Sequence, residues 1–361
     1  MRLLIAGGGT GGHLFPGVAI AEELRARLPD AEVLFVGTRR GIEARVLPGL
    51  GWPVEYIDMS GVKTVGVLGA LRGLYRVPRA IWQSRRIIKR FKPDAVVGVG
   101  GYASFPAVVA AWLRRVPTAI LEQNSIPGLS NKVLGKLVRK VFLAFEHTRT
   151  YFRARKIEMT GNPIRRAIAQ ALAGAAGGER APGPFRLFVF GGSQGASAVN
   201  ALVVDAMIEL KRRGLAVDLV HQTGEADLEK TTAGYRDAGI AADVRAFIQA
   251  MAEEYRKADL VVARSGATTV AELTAIGRPA ILIPYPFAAD NHQEINAAEL
   301  VAAGGARMYR QAELTGGALA DAIAELAADP AARERMGNVM RGLGRPQAAA
   351  TITDWCLQQT R

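Results

Sequence analysis

Short apolar runs alternate with longer stretches of helical periodicity along most of this 361-residue chain. The runs predict buried strands, and the stretches between them, such as Gly17–Leu28 and Phe105–Leu113, carry apolar residues at helical spacing. Strands that alternate with helices in this way are typical of parallel, doubly wound sheets. The predicted strands are Leu3–Ala6, Val33–Val36, Val54–Ile57, Ala95–Val99, Thr118–Leu121, Val141–Leu143, Leu187–Phe190, Val217–His221, Val244–Ala246, Leu260–Val262, Ala280–Ile283 and Ala306–Tyr309.

Two predicted strands end in glycine-rich loops that lead into helical patterns. Leu3–Ala6 is followed by GGGTGGHLFP, and Leu187–Phe190 is followed by GGSQGASAVN. Glycine has no Cβ, so backbone N–H groups can close on a phosphate, and the start of the next helix adds positive potential. Two such units predict two similar α/β domains. The turn at 161–163 favours a hinge between them, and Leu172–Pro184 is expected to be a flexible loop.

Composition favours a globular protein from a reducing, cytoplasmic setting. The chain is 49% hydrophobic and 22% charged, and Cys356 is its single cysteine, which excludes an internal disulfide. The first strand begins at once, so no signal peptide is expected. Glycines and Pro106 interrupt the longest uncharged run, Ala95–Leu113, and we therefore predict no transmembrane helix.

The formal net charge of +13 is concentrated in the first part of the chain. Residues 1–160 hold 25 Lys and Arg against 11 Asp and Glu, whereas the rest hold 21 against 22. The segment Val62–Lys92 alone contains nine basic residues and no acidic one. Basic character of this kind favours an anionic partner, either a membrane surface or a nucleic acid. No recognised nucleic-acid motif accompanies the charge, so no nucleic-acid partner is expected.

The basic segment has the pattern of an amphipathic helix. At about 100° per residue, five arginines form one stripe, and apolar residues such as Leu74, Ile81 and Ile88 lie on the opposite, core-facing side. Pro78 is a candidate break in this helix. The stripe is interpreted as a membrane contact, and an ordinary solvated helix face is the alternative. The stripe consists of Arg72, Arg76, Arg79, Arg86 and Arg90, and the expected membrane-contact residues are Arg72, Tyr75, Arg76, Arg79 and Trp82.

Eight motifs, in this order, resemble the bacterial N-acetylglucosaminyltransferases of peptidoglycan synthesis, which belong to glycosyltransferase family 28. They are GGGTGGHLFPG, the basic helix, GVGGYASFP, LEQNSIPGLSNK, TGNPIR, FGGSQGA, ARSGATTVAE and DNHQEINA. The resemblance implies transfer of N-acetylglucosamine from UDP-N-acetylglucosamine to undecaprenyl-diphospho-N-acetylmuramoyl-pentapeptide (lipid I), which gives lipid II. It also implies a GT-B fold, with two Rossmann-like doubly wound parallel-sheet domains and the ligand cleft between them.

The resemblance also guides the expected domain boundaries. Residues 1–163 would form the acceptor-binding, membrane-facing domain, and residues 164–341 the domain that binds UDP-N-acetylglucosamine. In the family, the last helix returns to the first domain. Residues 342–361 are therefore assigned to the first domain, and Gln347–Gln358 could form the returning helix.

The donor is expected to bind mainly the second domain. The loop at Ser193 and the turn that leads into Ala267–Glu272 each precede a helix and suit a phosphate. The resemblance implies that Glu272 accepts hydrogen bonds from the ribose, that the backbone near Ile248 reads the uracil, and that Gln293 binds the sugar, with His292 in a supporting role. The expected donor-binding residues are Thr10, Gly11, Gly12, Asn124, Arg165, Ser193, Ile248, Ala267, Thr268, Thr269, Val270, Ala271, Glu272 and Gln293.

The acceptor pyrophosphate is expected on the first domain. The loop that contains His13 and the motif residues Gly100, Gly101, Tyr102 and Ser104 could surround it with backbone amides. The C4 hydroxyl of N-acetylmuramic acid would then attack the anomeric carbon of the donor sugar with inversion. His13 is the first candidate for the general base, because imidazole titrates near neutrality, and Glu122 is the alternate.

No metal or organic cofactor is expected, since the sequence contains no Asp-x-Asp pair and its four histidines are scattered. Expected partners are the nucleotide sugar, lipid I and an anionic membrane, with other cell-wall synthesis proteins as candidates. The expected location is the cytoplasmic face of the bacterial inner membrane, with peripheral attachment. Two alternatives remain open. Thr38, Arg39 and Arg40 could meet the 2′-phosphate of NADP in an oxidoreductase, or the chain could bind sugar nucleotides without turnover.

Overall fold

The structure is a computed structural model that describes residues 1–59, 67–173, 183–192 and 194–360. The chain divides into two compact units, one of residues 1–166 with 346–361 and the other of residues 167–345. Each unit is built on one parallel sheet with helices on both faces. The predicted fold class of two doubly wound parallel-sheet domains is confirmed.

The sheet of the first unit has the strand order β3-β2-β1-β4-β5-β6-β7 among the described residues. Its strands are β1 (Arg2–Ala6), β2 (Glu32–Gly37), β3 (Val54–Tyr56), β4 (Ala95–Gly98), β5 (Thr118–Glu122), β6 (Lys140–Leu143) and β7 (Ile157–Met159). The helices that begin in this unit are α1 (Gly11–Arg27), α2 (Glu43–Gly49), α3 (Val67–Phe91), α4 (Ser104–Leu113), α5 (Leu129–Leu137) and α6 (Arg166–Ala173). The chain order reverses between β1 and β4, which is where such sheets bind ligands.

Both faces of this sheet are buried. Along β1, Leu3 and Ile5 join the core on one face, and Leu4 and Ala6 join the core on the other. The last helix of the chain, α14 (Ala348–Leu357), belongs to this unit and packs on α1. Its fully buried Ile352 and Cys356 complete the first of these cores.

The sheet of the second unit has the strand order β10-β9-β8-β11-β12-β13 among the described residues. Its strands are β8 (Phe185–Phe190), β9 (Val217–Gln222), β10 (Ala242–Arg245), β11 (Leu260–Ala263), β12 (Ala280–Leu282) and β13 (Ala306–Met308). Its helices are α7 (Ser197–Arg212), α8 (Leu228–Asp237), α9 (Met251–Lys257), α10 (Ala267–Ile276), α11 (His292–Ala303), α12 (Gly316–Ala328) and α13 (Pro330–Leu343). The order reverses between β8 and β11, so the topology of the first unit recurs here.

Several local predictions were wrong. The sequence did not predict β7, whose three residues are only half-buried and follow a basic segment rather than an apolar run. Helix α3 continues across Pro78 to Phe91. Leu172 and Ala173, predicted as loop, end α6, and residues 174–182 of that predicted loop lie outside the described residues. Within the described ranges, no helix combines the length and the apolarity that crossing a bilayer requires.

Candidate functional site

The loop between β1 and α1 is fixed by bonds from its own amides. The N–H groups of Gly7 and Gly8 donate to Val36 O and Gly100 O, at 3.0 and 3.3 Å. The N–H of Gly9, a residue with φ +87°, donates to the Glu43 carboxyl group at 2.7 Å. These three amides are therefore used within the unit. Helix α1 begins two residues later, and the N–H groups of its first two residues, Gly11 and Gly12, have no acceptor inside the helix, whereas that of His13 donates to Thr10 O at 3.2 Å.

His13 lies in that first turn of α1 and is half-buried. Its Nδ1 atom is 3.0 Å from Thr10 Oγ1, so the threonine hydroxyl orients the imidazole ring. A Cβ on Gly100, which has φ +85°, would lie 2.4 Å from His13 Cδ2. A Cβ on Gly101 would lie 2.1 Å from Gly8 O. The loop after β1 and the loop after β4 are thus in direct contact. The absence of side chains on Gly100 and Gly101 allows the imidazole to lie against the loop after β4.

The other predicted acceptor residues differ in their exposure. Tyr102 is 52% exposed, whereas Ser104 is fully buried at the start of α4. Ser104 Oγ lies under Gly98, 2.5 Å from where a Cβ on that glycine would stand. A ligand contact of Ser104 would therefore involve its backbone N–H at the helix start, because its hydroxyl faces the interior.

Glu122 ends β5 and is 3% exposed. Its Oε1 accepts the N–H of Asn124 at 3.0 Å, and its Oε2 accepts the side-chain amide of Asn131 at 2.8 Å. Burial raises the pKa of this carboxyl group to about 7, although these hydrogen bonds, and one from the Gly128 backbone, act in the opposite direction. The bonds tie the carboxyl group to the loop that follows β5. This arrangement fits a side chain that holds the loop better than one that meets a substrate.

Asn124 lies in the loop that Glu122 holds. It is half-buried, and its carbonyl accepts the Thr148 hydroxyl at 3.0 Å. Gln123 anchors the same loop to the loop after β4, because its side-chain amide donates to Val99 O at 2.7 Å. The structure therefore connects the carboxyl ends of β4 and β5 through this loop.

The second unit repeats the contact between glycine loops. A Cβ on Gly195, which follows β8, would lie 1.8 Å from Thr223 O, and one on Gly224 would lie 2.3 Å from Gln194 O. Gln222 bridges two loops, because its amide donates to Gly192 O at 3.0 Å and its carbonyl accepts the N–H of Ile248 at 2.8 Å. The N–H of the buried Ile248 is therefore used within the unit. Ser193, the predicted phosphate contact, lies outside the described residues.

Helix α10 follows β11 and carries most of the predicted donor residues. It begins at Ala267 after Gly266, so the N–H groups of its first turn are at the carboxyl end of the sheet. Those first-turn residues, together with Val270 and Ala271, are half-buried or buried. Glu272 is 3% exposed, and its Oε2 accepts the Tyr255 hydroxyl at 2.9 Å. A ribose contact of Glu272 would thus share the carboxyl group with this tyrosine.

The loop before α11 has unusual backbone geometry. Asp290 and Asn291 both have positive φ, +51° and +54°, which costs free energy for residues other than glycine. Gln293 is half-buried in the first turn of α11 and accepts the N–H of Tyr285 at 2.9 Å. The carbonyl of Gln293 accepts the Ser265 hydroxyl at 2.8 Å, which ties this turn to the start of α10. Among the predicted donor residues, Gln293 and the start of α10 are therefore brought together.

Arg165 is half-buried in the first unit, with its guanidinium 5.5 Å from the centre of the Phe15 ring. Phe15 follows His13 by two residues, so Arg165 lies near the start of α1. The N–H of Arg166, the first residue of α6, donates to the Glu22 carboxyl group in the middle of α1 at 3.3 Å. The structure thus brings Arg165 to the predicted acceptor loop of its own unit.

The basic stripe of α3 is partly neutralised. Arg79 forms an ion pair with Asp58 at 3.1 Å, and Arg90 forms one with Glu55. Trp82 is 57% exposed, and the guanidinium of Arg86 lies 4.8 Å from its ring centre. The side chains of Arg72 and Tyr75 lie outside the described part of the chain. Ile88 is buried, as predicted for the core-facing side of this helix.

Two buried residues that hold these loops were not predicted as functional. Glu43 organises the loop after β1, and Gln222 organises the loop after β8. Neither belongs to a motif in the sequence, and a charged residue at the start of α2 looks like any exposed helix carboxylate. Their only sequence signal is position, since Gln222 ends β9 and Glu43 begins the helix that follows β2. Grouped His, Cys, Asp and Glu side chains that could hold a metal ion are not found among the described residues.

Comparison with known proteins agrees with this architecture. The model of the glycosyltransferase family 28 N-terminal domain matches residues 3–143, and that of the C-terminal domain matches residues 186–352. The protein from Anaeromyxobacter sp. (strain Fw109-5) named UDP-N-acetylglucosamine--N-acetylmuramyl-(pentapeptide) pyrophosphoryl-undecaprenol N-acetylglucosamine transferase is 50% identical over all of this chain and 94% of its own. The protein of the same name from Geobacter sulfurreducens is 49% identical over 100% of this chain and 99% of its own.

Among solved structures, the crystal structure of Acinetobacter baumannii MurG aligns with a TM-score of 0.80 and 30% identity, and the alignment covers 99% of each chain. Nothing in these comparisons supports the NADP-dependent oxidoreductase. The structure adds a physical reason against this alternative. Thr38 is buried against Glu43, and the Arg39 guanidinium lies over the Tyr56 ring at 4.9 Å. Two family models cover most of the chain, and close relatives align along its full length. The chain belongs to glycosyltransferase family 28.

Proposed function

We propose that this chain transfers N-acetylglucosamine from UDP-N-acetylglucosamine to the C4 hydroxyl of N-acetylmuramic acid in undecaprenyl-diphospho-N-acetylmuramoyl-pentapeptide. The product is lipid II, the lipid-linked precursor of peptidoglycan. The observation that carries this proposal is the full-length match, at about half of all positions, to relatives whose name states this reaction. The glycine loops after β1 and β8, each followed by the start of a helix, supply the phosphate-binding elements that both substrates need.

The donor nucleotide is assigned to the second unit. The first turn of α10 presents backbone N–H groups at the carboxyl end of β11, and the loop after β8 lies beside it because β8 and β11 are neighbours. Negative charge grows on the leaving diphosphate during transfer, and a helix start stabilises such charge. Glu272 is assigned to the ribose, Gln293 to the sugar and the segment at Ile248 to the base.

The acceptor is assigned to the first unit, where the first turn of α1 and the Gly100–Gly101 turn meet. The amides of Thr10, Gly11 and Gly12 are suited to the acceptor pyrophosphate or to the transferred group. His13 is assigned as the general base. In the tautomer in which Nδ1–H donates to Thr10 Oγ1, the basic lone pair is on Nε2 and can accept the proton of the attacking hydroxyl.

Attachment to the cytoplasmic face of the membrane is proposed through α3. This helix presents the exposed Trp82, Arg76 and Arg86, a combination of an aromatic ring and cations that suits the headgroup region of an anionic leaflet. The ion pairs of Arg79 and Arg90 reduce the charge that the stripe offers. Lipid-linked acceptor and membrane-facing helix would then belong to the same unit.

The experiment that tests the function measures turnover directly. Purified protein is incubated with radiolabelled UDP-N-acetylglucosamine and a short-chain, water-soluble analogue of lipid I. We expect label in the acceptor and release of one UDP for each sugar transferred. Binding of the nucleotide without transfer would favour a sugar-nucleotide-binding protein instead. A thermal shift with NADPH, compared with UDP-N-acetylglucosamine, checks the oxidoreductase alternative, which the comparisons do not support.

A further inference from the structure

Glu43 is a buried carboxyl group that reaches three donors from two segments. It begins α2, is 1% exposed, and accepts the Gly9 N–H at 2.7 Å through Oε2. Its Oε1 accepts both the N–H and the hydroxyl of Thr38, at 2.7 and 3.0 Å. Backbone N–H groups can only donate, so both oxygens act as acceptors. Such bonds to a carboxylate are among the stronger ones in proteins.

The cavity around this carboxyl group is made by glycines from three places in the chain. A Cβ on Gly8 would lie 2.4 Å from the Glu43 carboxyl carbon, and one on Gly37 would lie 2.4 Å from Cγ. A Cβ on Gly41 would lie 2.0 Å from Oε2. Any side chain at these positions would displace the carboxyl group. The end of β2, the start of α2 and the loop after β1 are therefore all shaped to admit it.

The bond to Gly9 decides which amides of the loop can meet a ligand. Because the Gly9 N–H points to Glu43, it is unavailable to a phosphate, and the next N–H groups belong to Thr10, Gly11 and Gly12. His13 follows directly, in the same turn as these amides. The second unit shows that a glycine loop after a strand does not require a carboxylate, since the neutral amide of Gln222 holds Gly192 there.

We infer that Glu43 is a positioning residue for the transfer reaction, which sets the path of residues 7–12 so that the first-turn amides and His13 face the acceptor. The inference rests on the proposed function. Glu43 acts through the loop, because it is buried and its hydrogen bonds go to Gly9 and Thr38. A displacement of reacting groups by about 1 Å can cost about 100-fold in rate, so loss of this anchor reduces the turnover of molecules that are still folded.

The test uses the full chain and begins with Glu43→Gln. The amide keeps the size of the side chain but turns an NH₂ group towards a donor, so one anchor is lost. We expect kcat to fall about 10- to 100-fold, acceptor KM to rise several-fold, and the Kd for UDP to stay within about twofold. Thermal unfolding followed by circular dichroism measures the folded fraction of the whole chain, the first unit included, and normalises kcat. The control, Glu32→Gln, removes an exposed carboxylate of the same unit and should leave turnover unchanged.

Gly41→Ala provides an independent variant. Its methyl group enters the space of Glu43 Oε2 but leaves the carboxylate and the loop sequence intact, so it should reproduce the loss in kcat. The double variant with Glu43→Gln should show little more loss in kcat than either single variant. Normal kcat in either folded variant, or a UDP affinity that falls in parallel with kcat, overturns the inference. If neither variant folds, Glu43 serves stability and the inference is also overturned. Absence of transfer by the wild-type chain would instead reject the proposed function.

Discussion

The imidazole of His221 and the hydroxyl of Tyr235 meet at 2.7 Å inside the second unit, where both side chains are almost completely buried. The other ring nitrogen, Nε2, lies 3.1 Å from Asn200 Oδ1, which can only accept, so Nε2 carries the hydrogen. Asn200 in turn donates to Thr223 O at 3.0 Å, at the loop that contacts the glycine loop after β8. The proposed donor loop is therefore supported by a neutral histidine.

This arrangement predicts acid destabilisation of the second unit. Burial lowers the pKa of His221 from 6.5 to about 4, so the unfolded chain binds a proton more readily than the folded one. The stability from this group is complete above pH 6.5 and is lost as the pH falls towards 4, by up to about 3 kcal/mol. Urea unfolding at several pH values measures the loss, which should be smaller in His221→Gln. Tyr235→Phe, which keeps the imidazole buried, should retain it.

His13→Ala tests the general base. We expect turnover to fall by about 10²–10⁴, the range for loss of a general base, while the affinity for UDP changes little. Turnover with the water-soluble acceptor and calorimetry with UDP give the two quantities. Thr10→Ala, which removes the hydroxyl that orients the ring, should cause a smaller loss of the same kind. Turnover near the wild-type value in His13→Ala would move the proton transfer to another group.

Glu122 is expected to act as an anchor of its loop and not as the base. If so, Asn131→Ala, which leaves the carboxyl group in place but removes one of its donors, should reduce turnover as Glu122→Gln does. Each loss should stay below about 100-fold, the cost in rate of misplacing reacting groups by about 1 Å, because the loop shifts while the base remains. The turnover of both variants, measured together with that of His13→Ala, decides whether Glu122 is an anchor or the base. Normal turnover in Asn131→Ala with a collapse in Glu122→Gln would restore Glu122 as the base.

The fold could be predicted from the sequence because parallel strands buried on both faces produce continuous apolar runs. β7 could not, since its three half-buried residues give no such run. For the site, glycines and helix starts are local signals, so the sequence predicts the glycine loops after β1 and β8. Glu43 was not found, because its partner Gly9 is 34 positions away and burial of a single carboxylate leaves no periodic trace. The ion pair of Arg79 with Asp58 could not be predicted either, because the two residues are far apart in the sequence.

Glu272→Ala tests the donor site. We expect the affinity for UDP to weaken by about 1–3 kcal/mol, the range for leaving hydrogen-bonding groups without their partner. Tyr255→Phe is the matched control, because it removes the hydroxyl that donates to Glu272 but keeps the ring that packs against Phe188. Its effect on UDP affinity should be smaller. Calorimetry measures both, and an unchanged affinity in Glu272→Ala would contradict the assignment.

Reversal of charge on α3 tests membrane attachment. We choose Arg72, Arg76 and Arg86 and leave Arg79 in place, because its pairing with Asp58 would turn a reversal into repulsion within the unit. Each cation near an anionic leaflet contributes about 1 kcal/mol, so replacing the three by glutamate should release the protein from vesicles of anionic lipid. Sedimentation with such vesicles measures release, while turnover on the water-soluble acceptor should persist.

One control variant separates the effect of this helix from that of net charge. Lys230→Glu with Arg236→Glu changes exposed residues of α8 in the second unit, and this variant should still sediment with the vesicles. Wild-type attachment should weaken with salt, because the Debye length shrinks from about 10 Å at 0.1 M to about 3 Å at 1 M. Trp82→Ala should weaken it further at high salt, where the exposed ring contributes the larger share. If the triple reversal still sediments at physiological salt, the basic stripe is a solvated helix face and the membrane contact lies elsewhere on the chain.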